Sequence, residues 1–185
     1  MKKYSIIYCD PPWFYNKRNN PKNTKFGFGA TGHYPVMKTD DICNIPIQKI
    51  CEDNCALFLW STGPRQPDAH RVIEAWGFDY KTIGFTWVKI NKDENPWFGP
   101  GYYTASNAEL CLLAVKGKMK PVSNYVSQIV MEQRRKHSMK PDTVRVKIVE
   151  LFGDLPRVEL FARDRYNGWD AMGYDIDGRD IRSCF

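Results

Sequence analysis

The chain of 185 residues carries 27 Lys plus Arg against 21 Asp plus Glu, a net charge of +6, with 43% hydrophobic and 14% aromatic residues. This composition excludes a disordered chain, and no apolar run approaches the roughly 20 residues that span a membrane. The length predicts one domain over residues 1–185. The N-terminus has no secretory-signal pattern. Together with six scattered cysteines, this predicts a cytoplasmic protein with reduced thiols.

The first half of the chain alternates between short apolar runs and polar segments. Tyr4–Cys9 predicts a buried strand that stops at Asp10-Pro11-Pro12. Residues 14–38, rich in Asn, Gly, Lys and aromatic residues, predict a long loop. The next predicted elements are a helix over roughly 40–52 that Pro46 interrupts early, a strand over 55–60 and a helix over 67–76 that Gly77 ends.

The second half continues the same alternation. Strands are predicted over 78–89, 109–115, 128–131 and 157–162, with a loop over 91–107. Pro141 suits the first turn of a helix, on which Val144, Ile148 and Phe152 share one apolar face. Alternating helices and nearly continuous apolar strands predict an α/β fold, with a mostly parallel central sheet and helices on both faces.

Basic residues concentrate in two segments. Residues 11–39 contain five basic residues and no acidic one, and residues 116–147 contain nine basic and two acidic residues. Such segments suit contact with phosphates, but charge runs are equally typical of solvated surface. On charge alone, both interpretations stay open.

The motif richest in chemistry is Asp10-Pro11-Pro12-Trp13, directly after the first strand. Ligands of open α/β sheets bind beyond the carboxyl ends of strands. Asp10 supplies a carboxylate acceptor, and Pro11 lacks an N–H but keeps its carbonyl. Trp13 offers a flat face for an aromatic ring, so the motif suits an amino group on a base. The alternative is a strand stopped by proline and followed by a buried Trp.

Further motifs follow this tetrapeptide in order along most of the chain. They are Tyr34-Pro-Val-Met37, Ala56-Leu-Phe-Leu-Trp60, Trp76-Gly-Phe78, Trp87-Val-Lys89, Gly101-Tyr-Tyr103, Glu109, Val115-Lys-Gly117, His137-Ser-Met-Lys-Pro141, Glu159-Leu-Phe-Ala-Arg163 and Gly168-Trp169. With this set the chain resembles the MT-A70 family of adenine methyltransferases that use S-adenosylmethionine.

The resemblance implies a Rossmann-like class I methyltransferase fold, circularly permuted so that the catalytic strand precedes the cofactor strand. It implies transfer of a methyl group to the exocyclic amine of adenine in DNA, with short or relaxed sequence specificity and without a separate target-recognition domain. Three alternatives stay open: an RNA adenine methyltransferase, a cytosine amino methyltransferase, or a subunit that binds nucleic acid without catalysis. Inactive relatives generally lose the catalytic Asp or Trp, and both are present here.

The candidate site residues fall into three groups. The catalytic candidates are Asp10, Pro11, Pro12 and Trp13. The substrate-binding candidates are Tyr34, Lys89 and Glu109, for which packing or surface charge is an equally good explanation, with Lys17 and Arg18 of the first basic segment. The cofactor contacts implied by the resemblance are Asp10, His137, Lys140, Glu159, Phe161, Arg163, Arg165, Tyr174 and Asp175.

The cofactor candidates differ in the chemistry they offer. Lys140 at a helix start suits the methionine carboxylate, and Glu159 or Asp175 suits the ribose hydroxyls. Tyr174 departs from the family, whose members usually carry Asn there. The cysteines lack Cys-x-x-Cys spacing and the three histidines are far apart, so no metal site is predicted.

Overall fold

A computed structural model of the chain describes residues 1–15, 36–99, 103–135 and 139–185. Within these residues a seven-stranded sheet has the order β5-β3-β4-β2-β1-β6-β7. The strands are β1 Tyr4–Cys9, β2 Cys51–Ser61, β3 Asp79–Ile90, β4 Ala108–Lys116, β5 Ile129–Gln133, β6 Arg157–Leu160 and β7 Asp170–Met172.

Six of these seven strands run in the same direction. β1 is parallel to both β2 and β6, β6 is parallel to β7, and β3 is parallel to β5. β4 alone is antiparallel to its neighbours β2 and β3. The prediction of a mostly parallel sheet is therefore confirmed. Because β1 lies between β2 and β6, the carboxyl ends of these three strands are side by side at one edge.

Helices cover both faces of the sheet, as predicted. They are α1 Thr39–Cys43, α2 Gln66–Ala75, α3 Asp142–Phe152 and α4 Tyr174–Asp177, with 3-10 turns at Ile47–Lys49, Gly63–Arg65 and Ile181–Cys184. On one face, Ile42 of α1 and Val72 of α2 join the core. On the other face, Val144, Ile148 and Phe152 of α3 do so. In the part of the chain that the structure describes, no helix is long and apolar enough to cross a membrane.

The first helix is shorter than predicted. It ends at Cys43, and a 3-10 turn follows Pro46. Proline has no backbone N–H to donate and disfavours helical backbone in the residue before it, which explains the early stop. β2 accordingly begins at Cys51 rather than at residue 55. The predicted early interruption at Pro46 is therefore confirmed, whereas the predicted extent to residue 52 was wrong.

Candidate active site

The tetrapeptide after β1 forms a backbone turn with defined partners. The Trp13 amide donates to the Pro11 carbonyl at 2.8 Å, and the Met37 amide donates to the Pro12 carbonyl at 2.8 Å. The Phe14 amide donates to the Met37 carbonyl at 3.0 Å. Two rigid proline rings and these three bonds fix the direction of the chain as it leaves the sheet. The turn therefore holds Asp10 at the carboxyl edge with little freedom.

A buried lysine connects Asp10 to a second carboxylate. Lys140 is 8% exposed. Its Nζ lies 2.8 Å from Asp10 Oδ2 and 3.2 Å from Glu109 Oε2. On the other side of Glu109, Lys89 Nζ lies 2.6 Å from Oε1. The structure thus brings together four predicted site residues from all three groups of candidates. Asp10, Lys140, Glu109 and Lys89 form a charge network in which acidic and basic side chains alternate.

The pKa values in this charge network follow from burial and from the number of oppositely charged groups close to each residue. Burial raises the pKa of Asp10, and the attraction of Lys140 only partly opposes it. Burial would also raise the pKa of Glu109, but Lys140 and Lys89 together lower it. Burial would lower the pKa of Lys140, but Asp10 and Glu109 raise it. Lys140 therefore stays charged at neutral pH and holds the Asp10 carboxylate in place.

Glu159 has a partner that the sequence analysis missed. Arg145 of α3 donates to both carboxylate oxygens of Glu159, at 2.7 Å each, and its guanidinium lies 3.6 Å from the centroid of the Tyr166 ring. Burial raises the pKa of Glu159, with Arg145 opposing that effect. The missed signal is a charged residue beside Val144 on a buried helical face. Glu159 keeps lone pairs for a ligand, but its orientation is set by Arg145.

Trp13 does not offer the exposed platform expected of it. It is 6% exposed and belongs to the core below the sheet edge. Its indole Nε1 donates to the Trp60 carbonyl at 3.2 Å. A ring packed and anchored in this way stabilises the turn rather than presenting a free face. The alternative interpretation of the motif, a buried Trp after the prolines, matches this geometry.

Two adjoining cavities open beside Asp10. The first, with about 540 Å³ of empty space, is lined by Asp10, Pro12, Met37, Phe161, Ala162, Arg163, Tyr174, Asp175, Asp180 and Ile181. The second, with about 340 Å³, is lined by Asp10, Met139, Lys140, Arg145, Glu159, Phe161, Arg163, Asp164 and Tyr166. Most of the predicted cofactor residues thus line one or both cavities.

Two backbone features shape the region around Phe161, which lines both cavities. Phe161, the residue after β6, has a φ of 58°, which is uncommon for a residue with a side chain and typical of functional sites. A Cβ on Gly173 would lie 2.5 Å from the Ala162 carbonyl oxygen and 2.7 Å from the Ala162 nitrogen. Gly173 therefore permits a close approach of two backbone segments that no larger residue allows.

The remaining candidates are less centrally placed. Arg165 is exposed and is not among the residues lining either cavity. Lys17, Arg18, Tyr34 and His137 lie outside the described residues. Among the residues that are described, no cluster of His, Cys, Asp and Glu could hold a metal ion.

Comparisons with known proteins agree with the fold and the motif. A sequence profile of the MT-A70 family matches residues 4–175. The chain is 35% identical to the type II methyltransferase M.MunI of Mycoplasma sp, over 97% of this chain and 81% of that protein. It is 25% identical to the N(6)-adenosine-methyltransferase catalytic subunit METTL3 of Homo sapiens, over 96% of this chain and 29% of that protein. It is 24% identical to an N(6)-adenosine-methyltransferase MT-A70-like protein of Arabidopsis thaliana, over 95% and 24% respectively.

The chain therefore spans most of the Mycoplasma protein and less than a third of the two eukaryotic ones. With the family match, the mostly parallel sheet and its two helical layers confirm the predicted Rossmann-like methyltransferase fold.

Proposed function

The chain belongs to the MT-A70 family, and we propose that it transfers a methyl group from S-adenosylmethionine to the exocyclic amine of adenine in DNA. One observation carries the proposal: a partly buried, rigidly held carboxylate, Asp10, faces both cavities and lies 2.8 Å from Lys140. The names of the eukaryotic relatives support adenine N6 as the acceptor. The match over 81% of M.MunI, against 29% of METTL3, supports DNA as the substrate.

The paired cavities fit the chemistry of S-adenosylmethionine. Phe161 supplies an aromatic wall, Arg163 a cation, and Asp175 an acceptor for hydroxyl groups. Lys140 has three N–H donors, of which two are used by Asp10 and Glu109, so one remains for a carboxylate. Gly173 lets the backbone before Tyr174 pack closely against Ala162, and both of these residues line the first cavity. When bound, the cofactor supplies an electrophilic methyl group.

Asp10 and Pro11 act on the amine of the target base. The Asp10 carboxylate accepts one amine hydrogen and the Pro11 carbonyl accepts the other, using the lone pair that Trp13 leaves free. These bonds orient the nitrogen lone pair and stabilise the positive charge that develops on nitrogen. Because an amine in a duplex is paired, the base enters from a single strand or after extrusion from a duplex.

Asp10→Asn tests the proposal directly. The variant keeps the size of the side chain but loses the charge, and we expect methyl transfer to fall by about 10²–10³-fold. The assay incubates matched single- and double-stranded DNA and RNA oligonucleotides with S-adenosylmethionine and identifies the methylated nucleoside by mass spectrometry. Asp154→Asn, at an exposed carboxylate paired with Arg157 on the protein surface, is the matched control.

Each outcome of this assay decides one part of the proposal. N6-methyladenine formed only in RNA would replace DNA by RNA as the substrate, which the names of the eukaryotic relatives make the second candidate. A methylated cytosine would replace adenine. Asp10→Asn protein with the wild-type rate would refute the mechanism.

A further inference from the structure

An aromatic ring other than Trp13 lies exposed next to the proposed reaction centre. Tyr15, two residues after Trp13, is 46% exposed, whereas Trp13 is 6% exposed. Tyr15 follows the turn that begins at Asp10. Tyr15 therefore offers an accessible aromatic ring close in the chain to Asp10, which the buried Trp13 does not.

The Tyr15 hydroxyl is anchored beside the charge network. It forms a hydrogen bond of 2.6 Å with Thr62 Oγ1. Thr62 follows the end of β2, and the last ladder pair of β2 with β4 is Ser61 with Leu110. In an antiparallel ladder the next position places Thr62 opposite Glu109. The residue that anchors the tyrosine hydroxyl thus lies across the sheet from Glu109, whose carboxylate shares Lys140 with Asp10.

One face of the Tyr15 ring is supported by a cation. The Arg65 guanidinium lies 4.7 Å from the ring centroid, and Arg65 is itself held by Asp68 at 2.8 Å. A guanidinium against one face of an aromatic ring stabilises it. With its hydroxyl and one face fixed and nearly half of the residue exposed, the ring is pre-organised and has surface left for a planar ligand.

We propose that Tyr15, backed by Arg65 and Thr62, is the residue on which the target base stacks, while Trp13 holds the turn from inside the core. The proposal rests on the proposed function, since it assigns the position of the base that Asp10 acts on. Every base has a π-face, so such a contact adds affinity without demanding a particular sequence.

The test compares Tyr15→Ala with two matched variants. Stacking of a base on an aromatic ring is worth about 1–3 kcal/mol, so we expect kcat/KM for a single-stranded DNA oligonucleotide to fall by about 5- to 150-fold. Tyr15→Phe keeps the ring and loses one exposed hydrogen bond, so its loss is smaller. Tyr80→Ala removes an exposed tyrosine at the opposite edge of the sheet, beside His70, and leaves kcat/KM unchanged.

Three measurements on the same proteins separate the outcomes. Calorimetry with S-adenosylmethionine shows whether Tyr15→Ala keeps its cofactor affinity, as expected for a residue that contacts only the base. Fluorescence anisotropy measures the affinity for a labelled oligonucleotide, and nucleoside mass analysis measures methyl transfer. A Tyr15→Ala protein with wild-type kcat/KM overturns the stacking role and leaves the proposed function standing.

Failure of the proposed methyltransferase activity would be seen in the wild-type protein rather than in the variants. If the wild-type protein forms no methylated base, anisotropy still decides the role of Tyr15. Weaker binding of the oligonucleotide by Tyr15→Ala, but not by Tyr80→Ala, then supports stacking. Equal binding by all variants overturns it.

Discussion

Removal of the Lys140 charge is the sharpest test of the network at the sheet edge. In Lys140→Gln, Asp10 loses its ion-pair partner at 2.8 Å, whereas Glu109 keeps Lys89 at 2.6 Å. Removing one member of a buried pair typically costs about 3–5 kcal/mol, because the other charge stays buried without compensation. We expect the free energy of unfolding to fall by about this amount at neutral pH.

The sign of the pH dependence follows from Asp10. Burial already raises the pKa of Asp10, and Lys140 opposes that rise. In Lys140→Gln the pKa of Asp10 therefore rises further above its value in the unfolded chain. The native state then binds a proton more readily than the unfolded state, so the stability deficit is present at neutral pH. It shrinks as the pH falls toward the unfolded pKa of Asp, about 3.9.

Urea unfolding at several pH values measures this deficit. Lys89→Gln is the matched control, since it leaves the pair of Lys140 with Asp10 intact and leaves Glu109 with one cation. The double variant Lys140→Gln with Asp10→Asn removes both charges, so it should recover part of the lost stability. The reasoning is refuted if Lys140→Gln destabilises no more than Lys89→Gln, or if its deficit does not change with pH.

Two further predictions concern the walls of the cavities. Gly173→Ala places a Cβ 2.5 Å from the Ala162 carbonyl oxygen and should abolish measurable S-adenosylmethionine binding in calorimetry. The control is Gly63→Ala, whose new Cβ has no atom within 4 Å and which should bind S-adenosylmethionine as the wild type does. Arg145→Met leaves the buried Glu159 carboxylate without its ion-pair partner and should lower the free energy of unfolding by about 3–5 kcal/mol in urea titrations. Arg145→Met with Glu159→Gln should be less destabilised than Arg145→Met alone, and equal losses would contradict the pairing.

The central strands of the fold can be predicted from the sequence. Apolar runs such as Tyr4–Cys9 predict strands because a strand buried on both faces needs apolar residues at consecutive positions. The three-residue strand Asp170–Met172 has no such run, and all of its residues are half-buried. It forms because β6 offers an open edge, which is a property of the folded sheet. Local sequence therefore predicts the central strands and misses the last one.

The candidate site shows the same division. The Asp10 motif is recognisable because its chemistry is contained in four consecutive residues. Arg145 was missed because its partner Glu159 is 14 residues away on another element, and a single sequence does not reveal that pairing. Trp13 was given a contact role from its residue type, its place after the first strand and the family resemblance of the tetrapeptide. Its burial depends on how the chain returns at Met37 and on the Trp60 carbonyl, neither of which the tetrapeptide encodes.

The position of β1 has a consequence for synthesis of the protein. Asp10 and Lys140 are 130 residues apart in the chain, and the strand that covers the free side of β1 is β6, which begins at Arg157. On the ribosome, one edge of β1 therefore stays unpaired and apolar at least until the residues of β6 have emerged. Such edges pair readily with other chains. We expect the nascent protein to be inactive and prone to aggregation until β6 has emerged, so chaperone capture before that point should raise the yield of folded protein.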